Sequence, residues 1–477
     1  MVRAVRLSRL VSAALAAMVC LAGPASAEVF VRWETRPVPP RDALDVAALV
    51  VPAADAGLAQ DARAAGYRVF LEAAADALDA IPRGGDVAGV FVQGPVDAAR
   101  LDALRTALGA GAVVRTLDER GKWPHIRTNW VTSRNGVLQV ASRTAQPWIE
   151  NNAALIRIAQ REHPGVVPLL TYPWQPITPA VGGEEPAADD YLVAIAEAGS
   201  FGADLLLPLH PAFQRRLALG LPDARADWGR IREAMTFYAS ASPARYEPIA
   251  GIAVVTAEEP MRWFEAMNLL ARHNLPFDLL TLDQVTANAL APFRLVVVLD
   301  PPAAPQAAAL DAFARRGGTL VTAGLQGPFP WERGEPASRA DDRVTYEVGS
   351  GRAVAFAQPV INPNDFALAV RQLLAPEQRD VEIWNGITVL AAPYKAPGGD
   401  AVLVTVLNYT HQPLPVQLRI PGRYVSVHYE VPGARPALLP FRQRGGFAEI
   451  VLDDLTIGGR LFMTVAPGAE PQGSNGK

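Results

Sequence analysis

Eight short apolar runs, each followed by a stretch with helical spacing, fill the first half of the chain and then stop. They are Glu28–Trp33, Val46–Val51, Tyr67–Glu72, Val87–Gln93, Ala112–Leu117, Val137–Ala141, Val166–Tyr172 and Ala203–Leu209. Strands that alternate with helices form a parallel sheet, and eight such units close into a (β/α)8 barrel. The competing arrangement is an open doubly wound sheet. Eight runs without a second nucleating motif favour the barrel. A barrel places its chemistry at the carboxyl ends of its strands, so the residues that follow each run carry the functional question.

The chain before the first run has a different character. Arg3, Arg6 and Arg9 precede the apolar run Val11–Ala22, and Ala25-Ser26-Ala27 supplies a small-residue cleavage pattern. This reads as a secretory signal peptide over residues 1–27, too short to span a bilayer comfortably. The expected location is exported, periplasmic or extracellular, with no membrane span after cleavage. Cys20 is the single cysteine and lies inside that peptide, so the mature chain offers no disulfide and no thiolate. A net charge of −4 over 477 residues gives no basic footprint for nucleic acid. The histidines are scattered without ligand spacing, and no glycine-rich phosphate loop occurs. No metal and no cofactor are therefore expected.

The barrel unit covers residues 28–242. Pro243–Pro248 marks a boundary. Ile249–Thr256, Phe277–Thr281, Leu295–Leu299 and Gly318–Thr322 then read as strands, with helices at Met261–His273 and Ala307–Arg316, giving a flavodoxin-like unit over 249–374. Arg343–Val348 and Ala353–Phe356 read as a late hairpin there, after a polar loop at Gln326–Asp342. Six short β-rich runs separated by Pro, Gly and Asn follow, which suits an antiparallel β-sandwich over 380–467. Residues 468–477 read as a disordered tail. The fold class expected is α/β and multidomain: TIM-type barrel, flavodoxin-like domain, β-sandwich.

Parts of the middle unit resemble a known family. Leu295–Asp300, the helix Ala307–Arg316 and Arg316-Gly317-Gly318-Thr319-Leu320-Val321 look like the strand, helix and strand of a glutamine-amidotransferase-like domain. Val348-Gly349-Ser350-Gly351-Arg352-Ala353-Val354, with Asn362-Pro363 and Phe366, resembles its closing segment. With a barrel before it and a sandwich after it, the layout resembles three-domain glycoside hydrolases of the β-galactosidase type. That resemblance implies an oligo- or polysaccharide partner, hydrolysis of O-glycosyl bonds, and a homo-oligomer built through the middle domain. Without a cysteine, the middle domain carries no amidotransferase chemistry.

Glycoside hydrolysis needs two carboxyl groups flanking the bond. The resembled enzymes place an Asn-Glu acid after strand four and a glutamate after strand seven. Here strand four ends Phe91-Val92-Gln93-Gly94, and no Asn-Glu dipeptide occurs in the chain. Strand-end position instead nominates Glu72, at the end of the third run, and Asp118, after the fifth, as the acid/base pair, with Glu119 or Glu185 as substitutes. A glutamate as deep as Glu72 must be functional or paired, with Arg143 as the expected partner. Arg143, Gln146, Tyr172, Trp174, Gln175 and His210 follow the later runs and are expected to orient substrate. Trp123, Trp130, Trp148 and Trp174 fall in strand-end loops, which favours carbohydrate. Two other readings stay open: a glycan-binding protein without turnover, and a structural component of an envelope assembly.

Overall fold

The computed structural model describes residues 28–82, 87–109, 111–127, 147–172 and 185–469, together with the backbone of 130–134 and 137–141. The expected signal peptide and residues 470–477 of the tail lie outside the described residues.

The strands of the first half are β1 (Val29–Arg32), β2 (Ala48–Pro52), β3 (Arg68–Ala74), β4 (Gly89–Gln93), β5 (Val113–Thr116), β6 (His125–Arg127), β7 (Trp130–Arg134), β8 (Val137–Ala141), β9 (Trp148–Glu150), β10 (Leu169–Thr171) and β11 (Asp204–Pro208). Seven form one parallel sheet in the order β10-β11-β1-β2-β3-β4-β5. A single bridge closes the ring. Just beyond β5, the Asp118 N–H donates to the Leu169 carbonyl at 2.8 Å, and the Thr171 N–H donates to the Asp118 carbonyl at 3.1 Å.

Seven of the eight expected runs therefore enter the ring. The sixth, Val137–Ala141, does not: it pairs antiparallel with β7, Trp130 opposite Ala141 and Arg134 opposite Val137. The dipeptide between these strands in sequence is Asn135-Gly136, the strongest short-range hairpin signal. It favours local pairing over insertion into a distant parallel sheet. β9, which precedes the next helix, also pairs antiparallel, with β6.

Alternation along each strand sorts the side chains of the ring. Phe30, Val50, Phe70, Phe91, Leu117, Leu169 and Leu206, one from each position of the ring, fill its interior as a single apolar layer. The Phe70 and Phe91 rings stack at 5.2 Å, and Phe30 meets Phe91 edge-on at 4.7 Å. Burial of each such side chain stabilises the fold by about 2 kcal/mol. Gly89 makes room for them, since a Cβ there would lie 2.9 Å from the Phe70 ring and 2.1 Å from the Val113 carbonyl. The outward residues of the same strands, among them Val31, Leu49, Leu71, Val92, Leu170 and Leu207, face the surrounding helices.

The next unit is a sheet whose five parallel strands run Phe277–Thr281, Ile252–Thr256, Leu295–Val298, Thr319–Ala323, Gly351–Phe356, the flavodoxin order. Arg343–Val348 returns antiparallel on Gly351–Phe356, as the hairpin reading anticipates. Asn362 caps the helix Pro363–Leu373, accepting from the Asn364 and Asp365 amides at 3.1 and 3.3 Å. A six-stranded and a four-stranded antiparallel sheet enclose the last core, giving the sandwich. The six-stranded sheet sits on two barrel helices. Tyr394 and Thr405 hydroxyls donate to the Ser200 carbonyl at 2.9 and 3.0 Å, and Arg460 reaches the Phe237 carbonyl at 3.0 Å. Asn408, a glycosylation sequon by pattern, is buried, and its amide donates to the carbonyls of Gln412, Leu455 and Thr456. Among the described residues no helix is long and apolar enough to cross a membrane.

Candidate active site

Two residues beyond the apolar layer, the inward positions become polar. Arg32 ends β1, Glu72 lies near the end of β3, and Gln93 ends β4. The Arg32 Nε lies 2.6 Å from a Glu72 carboxylate oxygen, and its Nη2 lies 2.9 Å from Glu34. The Gln93 amide donates to the other Glu72 oxygen at 2.6 Å. Two carboxyl groups thus flank one guanidinium at the carboxyl end of the ring.

Glu34 is placed from behind. Gln214, fully buried on the helix Pro211–Ala218, accepts from the Glu34 and Thr35 amides at 2.8 and 3.1 Å. Its own amide donates to the Leu209 carbonyl at 2.7 Å, so the segment after β1 is clamped to the segment after β11.

Glu72 is 5% exposed, and burial raises its pKa above the ordinary glutamate value. The charge of Arg32 and the Gln93 hydrogen bond pull it back, while the charges of Glu34 and Glu119 push it further up. A buried carboxyl that resists ionisation is suited to the proton-donor role in a carboxyl pair.

This architecture has known counterparts. The α-L-fucosidase isoenzyme 2 of Paenibacillus thiaminolyticus superposes with a TM-score of 0.59 at 11% identity, over 92% of this chain and 100% of that one. The two chains share a fold. The GH42 β-galactosidase Gan42B from G. stearothermophilus gives a TM-score of 0.45 at 10% identity, over 93% of this chain and 98% of its own. The rhamnosidase of Novosphingobium sp. PP1Y gives 0.44 at 12%, over 88% and 39%. No family model matches the sequence, and no curated protein sequence matches it.

On this scaffold the candidates from sequence divide. Glu72 stands at the mouth, with Arg32 as its partner. Arg143, the partner expected for it, lies outside the described residues, as do Gln146, Trp174 and Gln175. Glu119 follows the ring-closing residue and acts on Glu72 through its charge.

Asp118 is a correction. Its bridge partner Leu170 faces the outer core, whereas Leu117 and Leu169 face the interior. Alternation therefore turns the Asp118 carboxylate outward, where Arg120 holds it at 2.7 and 3.0 Å and also binds Glu162 at 2.7 Å. Tyr172 is a second correction. It is 1% exposed, it packs edge-on against Trp123 at 5.6 Å, and its hydroxyl meets Glu197. Glu185 pairs with Arg216 at 2.5 Å, and among the described residues no contact joins it to the Arg32 group. His210 caps the helix Pro211–Ala218, its Nδ1 accepting from the Ala212 amide at 3.2 Å. Trp123 packs inside against Tyr191 at 5.9 Å and offers no sugar platform, and the half-buried Trp148 ring lies beneath Arg272 at 5.4 Å.

The residues missed are Arg32, Glu34, Gln93 and Gln214. The signal for the first two was present: Phe30, Arg32 and Glu34 share one face by alternation, and Phe30 is core. Among the described residues no group of three His, Cys, Asp or Glu side chains could hold a metal ion.

Proposed function

We propose that the protein is an exported carbohydrate-active enzyme, a glycoside hydrolase of atypical kind working at the barrel mouth. Glu72 is the proton donor, Glu34 the carboxylate that shares Arg32 with it, and Glu119 a charge that adds to burial in raising the Glu72 pKa. One observation carries this reading: Glu72 and Glu34 share the Arg32 guanidinium at the strand ends of a glycosidase fold. Export rests on Arg3, Arg6 and Arg9, the apolar run after them and Ala25-Ser26-Ala27. The domain limits read from sequence, and an oligomer through the middle unit, belong to the same proposal.

The neighbours are named for α-L-fucose, β-galactose and rhamnose. The corresponding 4-nitrophenyl glycosides are the first probes. Wild-type protein is expected to release nitrophenol from at least one, and Glu72→Gln and Glu34→Gln to lower turnover by about 10²–10⁴-fold with circular dichroism unchanged. Full turnover in both variants would sink the assignment.

A second reading, glycan binding without turnover, has its own support. Both oxygens of Glu72 already have partners, Arg32 and Gln93, which leaves its proton less available. Retention of oligosaccharide by wild type, abolished in Glu72→Gln, with no product on prolonged incubation, selects that reading.

A further inference from the structure

Among the described residues the most deeply buried carboxylate is far from bulk water and pairs with no cation. Glu197, on the helix Ala188–Phe201, is 0% exposed. The Asn152 backbone N–H donates to one oxygen at 2.9 Å and the Asn152 side-chain amide to the other at 2.6 Å. The Tyr409 hydroxyl donates at 2.7 Å and the Tyr172 hydroxyl at 3.3 Å. A buried charge held by neutral donors alone is costly, and an apolar contact would serve stability better. Its donors explain its presence. Tyr409 belongs to the sandwich, at the end of the strand Ala401–Asn408. Asn152 opens the helix Ala153–Glu162 and clamps the segment after β5. Its side chain accepts from the Lys122 amide at 2.8 Å and donates to the Lys122 carbonyl at 2.7 Å. That segment starts at the ring-closing Asp118 and carries Glu119.

We propose that Glu197 is a positioning residue that ties the docking of the sandwich to the placement of the segment 118–123, and through it to Glu119 beside Glu72. The relay runs Tyr409, Glu197, Asn152, Lys122. A carboxylate suits it because only an acceptor-only group takes four donors at once. A glutamine would turn an N–H2 toward hydroxyl and amide donors. The consequence for Glu119 rests on the reading of the mouth given above; the mechanical coupling does not.

Protonation should loosen the relay, because a protonated carboxyl converts one acceptor into a donor. Burial pushes Glu197 up to about 7, with the Asn152 and tyrosine hydrogen bonds opposing. The titratable groups facing it are Tyr172 and Tyr409. Further along the same helix Asp190 pairs with His411 at 3.3 Å and Asp189 with Arg230, while Lys122 itself reaches Glu150 at 3.7 Å.

Hydrogen exchange of the amides in 118–123, measured on the full chain between pH 6 and 8, tests this. Wild type should show protection that rises through about pH 7 after correction for intrinsic exchange. Glu197→Gln should lose about tenfold in protection and the transition with it, and Tyr409→Phe, which removes only the sandwich hydroxyl, should lose less and move the midpoint upward. Wild-type protection of 118–123 in Tyr409→Phe, or a transition that persists in Glu197→Gln, overturns the proposal. Coupled exchange in a protein with no turnover would discard the mouth reading and leave the relay standing.

Discussion

The two ends of the barrel are built from the same residue types and balanced differently. At the amino end Asp204 accepts from the Glu28 backbone N–H at 2.6 Å and pairs with Arg115 at 2.5 Å, while Arg115 also donates to the Val167 carbonyl at 2.7 Å. Arg68 adds a second positive charge near Glu28. Two acids thus meet two arginines. At the carboxyl end, among the described residues, Arg32 alone pairs with Glu34 and Glu72, with Glu119 within reach of Glu72 by charge. Matched charge inside a barrel is a plug that holds the strands. Surplus carboxylate at the strand ends is charge arranged for something that arrives from outside.

The largest effect expected from this difference is on turnover. Glu72→Gln should lower it by about 10³-fold while leaving the urea midpoint within about 1 kcal/mol of wild type. Asp204→Asn should do the reverse. Removing one partner of a pair this buried leaves Arg115 uncompensated and should cost about 3 kcal/mol in urea unfolding, with KM unchanged. If Asp204→Asn damages turnover as much as stability, the two ends are one unit and the contrast fails.

The next effect is on pH dependence. Glu72 has a raised pKa, so the folded state holds its proton longer than the unfolded chain does. Its contribution to stability is complete below the unfolded value of about 4.3 and is lost as pH rises through the folded value. In the proposed role of proton donor it fails over the same upper limit. Glu119→Gln removes one of the charges that raise it. The basic limb of the pH–rate profile should then move to lower pH, by less than about one unit. Asp204→Asn, at the other end, should leave that limb in place. A limb unmoved in Glu119→Gln would separate Glu119 from the site.

Much of this was legible before any coordinates. Apolar runs located seven ring strands, because buried parallel strands are apolar on both faces. The flavodoxin order and the hairpin at Arg343–Val348 followed from strand, helix and turn residues in simple succession. The sixth run misled because apolar content does not distinguish a ring strand from half of a hairpin, and Asn135-Gly136 was the cue that did. Within the site, strand-end position found Glu72 but could not tell which of two successive residues faces inward. One step decides it: Leu117 in, Asp118 out; Thr171 in, Tyr172 out. His210 was readable otherwise, since Pro211 at the first helical position marks it as a cap. Gln214 gave no signal, because its role depends on a contact 180 residues away in sequence.

The smallest expected effect tests that one-residue step. Asp118 closes the ring through its backbone, and an asparagine keeps both of those hydrogen bonds. Its carboxylate lies outside the ring with Arg120, whose side chain is 36% exposed and retains Glu162 at 2.7 Å when Asp118 is neutralised. A partly exposed ion pair of this kind contributes less than about 1 kcal/mol. Asp118→Asn should therefore leave turnover, its pH profile and the exchange of 118–123 unchanged, with at most a small drop in the unfolding midpoint. Loss of turnover at an unchanged midpoint would mean that the Asp118 side chain reaches the mouth. The surplus carboxylate at that end would then be counted differently, with Asp118 rather than Glu34 set against Glu72.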